Sequence, residues 1–248
     1  MIFIKSPEEI VKIREACKIV SRVLKDIEKE IRVGITTEEI DAIAEKIIIS
    51  YNGRPAFKGY RGYRHATCIS VNSVIVHGIP SSLKLKEGDL VGFDVGVVFN
   101  GYYGDAARTF AVGEISPIAQ KLIDYTRDSL DLAIKKGIEG NFVGDISSAV
   151  ETKATEGGFS VVKDLFGHGV GRELHEDPLI PNYGEPKSGA RLKAGMVLAI
   201  EPMLNVGGSG IKTLRDGWTV VTEDWSLSAH FEDTIAITKG KPEILTRI

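Results

Sequence analysis

Long apolar runs are missing from this chain. No stretch approaches the roughly 20 residues that a helix needs to span a bilayer, so no membrane span is expected. The start, MIFIKSPEEI, turns charged at Lys5 and does not read as a signal peptide. Cysteine is scarce: Cys17 and Cys68 alone make neither a disulfide framework nor a zinc-type spacing. A cytoplasmic protein with reduced thiols is the expectation. A basic excess is absent too, since the net charge of −3 supplies no field for nucleic acid. What is present is ordinary for a globular protein: 248 residues, 43% hydrophobic and 26% charged, enough to bury a large core.

One segment stands apart. LVGFDVGVVFNGYYGDAARTF has Asn100-Gly101 at its centre, and Asn-Gly favours the type I′ turn that strand twist requires. That turn pairs Phe99 with Tyr102 and Asp94 with Ala107. Asp105 then shares the face of Asp94 as a diagonal neighbour, roughly 7–8 Å away. Strands are depleted in Asp, and two like charges this close repel unless something positive lies between them. Gly92, Gly96 and Ala107 on the same face predict open space, while Val91, Phe93, Val95 and Val97 fill the other. Alternation also turns Arg108 away from both aspartates. The pattern predicts a cavity built for a cation.

Helix signals open at Ser6-Pro7-Glu8-Glu9, with an N-cap serine, proline at the first helical position and a capping-box glutamate. The apolar stripe Ile10, Ile13, Cys17, Val20, Leu24, Ile27 and Ile31 advances in steps of three and four, which makes Cys17 core. A second helix is predicted from Thr36, with Glu39 as its box partner and Ile40, Ile43 and Ile47 inward. A strand is expected at Thr67–Val71. Much of this order then recurs: Ser116-Pro117 repeats Ser6-Pro7, Gly140, Ile146 and Glu151 repeat Gly34, Ile40 and Glu45, and LKAGMV repeats LKEGDL. The last match puts Glu201 in the position of Asp94. A period this long means a duplicated half. The expected architecture is therefore two α/β halves related by a pseudo-twofold (about 1–113 and 114–248), forming one catalytic domain with a shared site at their junction.

Further candidates are His168 in FGHGVG, Glu201 in VLAIEP and Glu232 in AHFEDTIAI. Glu201 ends an apolar run at a proline, where a strand terminates. Gly167 and Gly169 allow close approach around His168. Singly, each residue has an ordinary structural explanation. Together, four carboxylates and an imidazole suit Mn, Fe(II), Co or Zn in an open, catalytic site. Four anionic groups could hold two ions, an arrangement used in hydrolysis.

These motifs resemble a known family, the type I methionine aminopeptidases of the pita-bread fold, an α+β architecture around a central antiparallel sheet. The resemblance spans nearly the whole chain and rests on HGIP at His77, FDVGVVFNGYYGDAARTF, FGHGVGRELHEDP, AIEPML and FEDTIAIT. It implies that Asp94, Asp105, His168, Glu201 and Glu232 ligate two divalent metal ions, with Asp105 and Glu232 bridging. It implies that His77 and His175 flank the substrate and stabilise the transition state, and that Glu201 accepts the proton of the attacking water. The methionine pocket it implies is Phe57, Tyr60, Tyr63, Cys68, Leu174 and Trp218; many bacterial members have cysteine where Phe57 stands. His65 and His230 receive no catalytic role.

The implied activity is removal of N-terminal methionine from nascent polypeptides when the second residue is small, with the ribosome as a partner. Prolidases and proline-specific aminopeptidases share the architecture but normally carry a large extra N-terminal domain, whereas a short approach precedes the first helix here. Type II methionine aminopeptidases carry a helical insertion for which the run from His175 through Glu201 to Glu232 leaves no room. A non-catalytic binding relative would be expected to lose ligands, and all five are present. Nothing in the sequence indicates a coiled coil beyond the first helix, so a monomer is expected.

Overall fold

The computed structural model describes residues 1–247. Helix α1 (Pro7–Glu30) starts at Ser6, whose hydroxyl accepts the Glu9 N–H while the Glu9 carboxylate accepts the Ser6 N–H. Helix α2 (Thr37–Ser50) has the same reciprocal cap from Thr36 and Glu39. The short β1 (Arg54–Pro55), β2 (Cys68–Val71) and β3 (Val74–Val76) lead to the long hairpin of β4 (Leu90–Phe99) and β5 (Tyr102–Ala111). The chain then resumes with α3 (Pro117–Lys136), capped by Ser116, and α4 (Val143–Gly157). Strands β6 (Ser160–Val161), β7 (Phe166–Gly169), β8 (Glu176–Pro181) and β9 (Val197–Ile200) follow. After them come β10 (Met203–Asn205), β11 (Ile211–Thr213), β12 (Val220–Thr222), β13 (Ser228–His230), β14 (Glu232–Ala236) and β15 (Glu243–Ile244).

A nine-stranded sheet in the order β1-β4-β5-β14-β9-β7-β8 forms the middle layer, with β2 on β4 and β15 on β14. Its pairings are antiparallel. Two small sheets, β13-β10-β6 and β11-β12-β3, lie beside it. One apolar core packs α1 and α2 on Val91, Phe93, Val95 and Val97. A second packs α3 and α4 on Leu198, Ile200, Phe231 and Ile235. A third cluster of Ile13, Cys17, Val197, Ala199 and Ala236 joins α1 to strands of the other half, where a Cβ on Gly104 would stand 2.7 Å from the Cys17 nitrogen.

The repeated motifs fold alike. Gly34 (φ +88°) donates to the Leu85 carbonyl at 2.8 Å, and Gly140 (φ +95°) donates to that of Leu192 at 3.0 Å. Gly88 (φ +89°) donates to Val112 and Gly195 (φ +92°) to Ile237. Only glycine adopts these dihedrals without strain. The halves meet where β5 pairs β14, with Ala107 opposite Glu232 and Ala106 opposite Asp233.

Some local expectations shift. Ile31 caps α1 from outside the helix. In α2 the fully buried positions are Ile40, Ala44 and Ile48, while Ile43 and Ile47 are half-buried, because α1 and the sheet meet α2 a step further round. Thr67 precedes β2, since its N–H and hydroxyl both donate to buried Asp41 rather than to a ladder.

Candidate active site

The hairpin has the register that its turn dictates: Phe99 faces Tyr102, Asp94 faces Ala107 and Asp105 faces Gly96. Both aspartates share one face, and Arg108 turns to the other, where its Nη2 meets Asp233 Oδ1 at 2.7 Å. The glycines do not leave open space. A Cβ on Gly96 would stand 2.7 Å from the Phe57 ring, and one on Gly92 would touch Ser70 at 3.4 Å. β1 pairs with the free edge of β4 and the chain just beyond it lays Phe57 over Gly96, which admits the aromatic ring.

The other half adds three groups. A Cβ on Gly167 would meet the Ala199 carbonyl at 2.5 Å, and one on Gly169 would collide with that of Asp177. Glycine at both positions lets β7 lie between β8 and β9. His168 Nδ1 donates to the Gly169 carbonyl at 2.9 Å. The lone pair is therefore on Nε2, which faces Glu201 Oε1 at 3.5 Å and Asp105 Oδ2 at 4.0 Å. Glu201 follows β9 where Pro202 interrupts the ladder, and Glu232 begins β14. Ligand atoms of Asp105, His168 and Glu232 all lie within 4.8 Å of one another.

Among the described residues no lysine or arginine forms an ion pair with the cluster. Burial, reinforced by neighbouring carboxylates, holds the Asp94, Glu201 and Glu232 carboxyls well above their usual range. Burial lifts Asp105 to about 7 and drives His168 down to about 4. Asp94 Oδ1, Asp105 Oδ1 and Glu232 Oε1 are buried without a hydrogen-bond partner. Buried polar atoms are normally paired, and oxygens with one imidazole nitrogen are the donor set of a divalent cation. The residues fit such an ion.

Every candidate from the sequence lines one cavity of about 340 Å³: the five ionisable groups above, His77, His175, Phe57, Tyr60, Tyr63, Cys68, Leu174 and Trp218. His77 has φ +58°, and a Cβ on the next residue, Gly78, would collide with the Ile69 carbonyl. Tyr63 donates to the Gly78 carbonyl at 3.2 Å and packs edge-on against Trp218, their rings 5.0 Å apart. Asp216 fixes the Trp218 turn by accepting the N–H groups of Trp218 and Thr219, both at 2.8 Å. Leu174 and His175 sit on a loop pinned by Glu176, which accepts from the Arg172 and Glu173 N–H groups and from buried Lys5 at 2.6 Å. His175 Nδ1 lies 2.9 Å from the Tyr60 hydroxyl, and burial drives this imidazole down to about 3. Its ring centre is 4.3 Å from that of His168.

Sequence reasoning did not single out Arg61 and Leu179, which also line the cavity. Arg61 is exposed at the cavity's edge, and its left-handed backbone, φ +47°, could not be read from residue types. Buried Asp41, holding Thr67, was not singled out either, and His230, given no catalytic role, stands beside Glu201 at 3.6 Å. Only for His230 was there a signal: it stands two residues from Glu232, on the same face of an extended strand.

Residues 11–239 match metallopeptidase family M24. The chain belongs to that family, and the carboxylate-rich cavity between its halves is in keeping with a metallopeptidase. It is 50% identical to the methionine aminopeptidase of Clostridium perfringens across the full length of both chains. It superposes on the crystal structure of the Thermotoga maritima methionine aminopeptidase with a TM-score of 0.98, 48% identity and complete coverage of each. Within the family it falls among the methionine aminopeptidases, and the pita-bread fold is confirmed. Prolidase from Pyrococcus furiosus is more distant, with a TM-score of 0.80 and 27% identity; the match spans 99% of this chain and 65% of that one. Among the described residues no helix is long and apolar enough to cross a membrane.

Proposed function

We propose that the protein removes N-terminal methionine from nascent polypeptides whose second residue is small, using two divalent ions held by Asp94, Asp105, His168, Glu201 and Glu232. Asp105 and Glu232 would be the carboxylates shared between the two ions. The observation that carries the reading is the placement of three orphaned carboxylate oxygens and the free Nε2 of His168 in the cavity that also holds an apolar pocket. Bound there, divalent ions would supply Lewis acidity and would bring the pKa of water from 15.7 towards about 7. Co, Mn, Fe(II) and Zn all suit the donor set.

The chain's own groups do the rest. Glu201 takes the proton of the attacking water. With the Tyr60 hydroxyl donating to His175 Nδ1, His175 carries its proton on Nε2 and donates to the carbonyl oxygen as charge develops. His77 flanks the scissile bond. Phe57, Tyr60, Tyr63, Cys68, Leu174 and Trp218 exclude water and hold the methionine side chain, whose sulfur gains from aromatic edges. The histidines crowd the second residue, which favours Ala, Gly or Ser. The whole chain acts as one catalytic domain of two halves, as a cytoplasmic monomer that meets its substrate at the ribosome.

The test is hydrolysis of Met-Ala-Ser, Met-Leu-Ser and Ala-Pro-Ser by chelator-treated protein before and after add-back of Co, Mn or Fe(II). Met-Ala-Ser should be the preferred substrate, and only with metal. A preference for Ala-Pro-Ser would place the activity with the proline-specific enzymes, and full activity in protein shown by elemental analysis to be metal-free would sink the dinuclear reading.

A further inference from the structure

His230 is 3% exposed, and its Nε2 has no hydrogen-bond partner. That atom lies 3.6 Å from Glu201 Oε2. His168 Nε2 stands 3.5 Å from the other oxygen, Oε1, so two imidazoles bracket one carboxylate. They are not equivalent. His168 lines the cavity and joins Asp105 and Glu232 in the candidate ligand group, whereas His230 does neither. It stands behind Glu201.

The sheet register explains the juxtaposition. Ile200 is opposite Asp233 on one side of Pro202, and Met203 is opposite His230 on the other. One register runs through the interruption, which puts Glu201 across from Glu232 and makes His230 its diagonal neighbour on the same face. Asp105 stands to Asp94 in the same relation, two residues before the partner Ala107. His230 thus holds, in the second half, the place that a carboxylate holds in the first. Its backbone is clamped by one hydroxyl: Thr109 Oγ1 donates to the His230 carbonyl at 2.8 Å and accepts its N–H at 3.0 Å.

We propose that His230 is a positioning residue for Glu201, donating from Nε2 to Oε2 and so aiming Oε1 into the centre. The inference rests on the reading of Glu201 as ligand and proton acceptor. A hydrogen bond of this kind spans about 2.7–3.2 Å. The final torsion of a glutamate is broad, so a small turn of the carboxylate closes the gap. Partners standing behind metal ligands fix their orientation, and removing one typically costs about 10–100-fold in affinity or activity.

The experiment compares His230→Gln, which keeps an N–H donor, with His230→Leu, which keeps bulk alone. Each is titrated with cobalt(II) by calorimetry and assayed on Met-Ala-Ser. His230→Leu should lose about 10–100-fold in kcat, with KM within about twofold, and bind cobalt about tenfold more weakly. His230→Gln should return to within about threefold of the parent in both measurements. Equal behaviour of the two variants overturns the proposal, because packing alone would then account for the residue. Should His230→Leu fail to fold, ¹⁵N-histidine spectra of the zinc-loaded parent protein decide: a proton on His230 Nε2 sustains the proposal and a bare Nε2 overturns it. An inactive parent enzyme would sink the aminopeptidase reading, while the cobalt titrations would still decide His230.

Discussion

The two halves build the same piece of sheet by different means. In the first, β4 and β5 run side by side without a break from Leu90 opposite Ala111 to Phe99 opposite Tyr102, closed by Asn100-Gly101 with φ of +51° and +77°. In the second, β9 meets β14 and β10 meets β13, with Pro202 between the two ladders. Proline has no N–H to donate, so pairing lapses there. The first arrangement is specified by local chemistry, since a tight turn sets every cross-strand partner. The second brings Glu201 to Glu232 across a long connection and depends on the packing of α3, α4 and the small sheets. If both halves feed one centre, damage to either should be felt by the whole site.

Removing from each half the carboxylate proposed to serve both ions should have the largest effect. Asp105→Ala and Glu232→Ala should each abolish activity and weaken metal binding by more than the roughly 100-fold ceiling for outer partners, as read by calorimetry. If one variant keeps both ions, the halves do not share a centre in the way proposed. The seam between them comes next. Arg108 links its own strand to Glu232 O at 2.5 Å and to Asp233, which is 0% exposed. Stripping a buried charge of a partner costs about 3–5 kcal/mol. Arg108→Met should fall near the lower end, because Arg247 still reaches Asp233 at 2.7 Å. Arg14→Met, at the exposed pair with Glu243, should cost under about 1 kcal/mol in the same urea titration.

A further variant tests the proposed division between ligands and helpers. His175→Ala should leave metal bound while kcat/KM falls by about 10²-fold or more if a transition-state donor is lost. Loss of metal as complete as in Asp105→Ala would refute the division of roles.

The buried charges predict a pH response. In the unfolded chain the carboxyls ionise near 4, whereas folded Asp105 holds its proton to about 7, and Asp94, Glu201 and Glu232 also titrate well above their usual range. Their contribution is full at low pH and is lost as pH rises through the folded values. The imidazoles act oppositely: with His168 at about 4 and His175 and His230 at about 3, they cost stability only as pH falls below about 6.5. Above that point the imidazole effect fades, and the carboxyls, joined by the buried Cys17 and Cys68 thiols, set the slope. The Tm of metal-free protein should therefore drop from pH 6.5 to 8, and saturating metal should flatten the slope. A rise in the metal-free Tm over this window would contradict the charge arrangement.

The smallest effect is expected at the helix starts. α2 is capped reciprocally by Thr36 and Glu39. Its counterpart α4 begins at Phe142, where only the Asp145 carboxylate caps, accepting the Phe142 N–H at 2.8 Å. Thr36→Ala should cost about 1 kcal/mol and Phe142→Ala should show no capping loss, both by thermal melts.

Legibility followed the range of the forces involved. Caps at Ser6, Thr36 and Ser116 act within a turn and were readable from residue types alone. So was the shared face of Asp94 and Asp105, because side chains alternate along a strand. The filling of Gly96 by Phe57 was not, since those residues are joined only when β1 lies against β4. Nor was the step from Ile43 and Ile47 to Ala44 and Ile48, which depends on where α1 and the sheet press on α2. Arg61 and Leu179 belong to the cavity by backbone course rather than by motif.

Local sequence alone set the helix starts at Ser6, Thr36 and Ser116, the hairpin register, and the residue types of a carboxylate-rich cluster. These depend on torsional preference, strand parity and contacts within a few residues. Tertiary structure decided that Asp105, His168 and Glu232 converge within 4.8 Å, that Tyr60 reaches His175, and that His230 stands behind Glu201. Those distances arise from strand order across the seam and from the burial that removes water and counter-charge. No local pattern encodes either, because both depend on how separate elements stack.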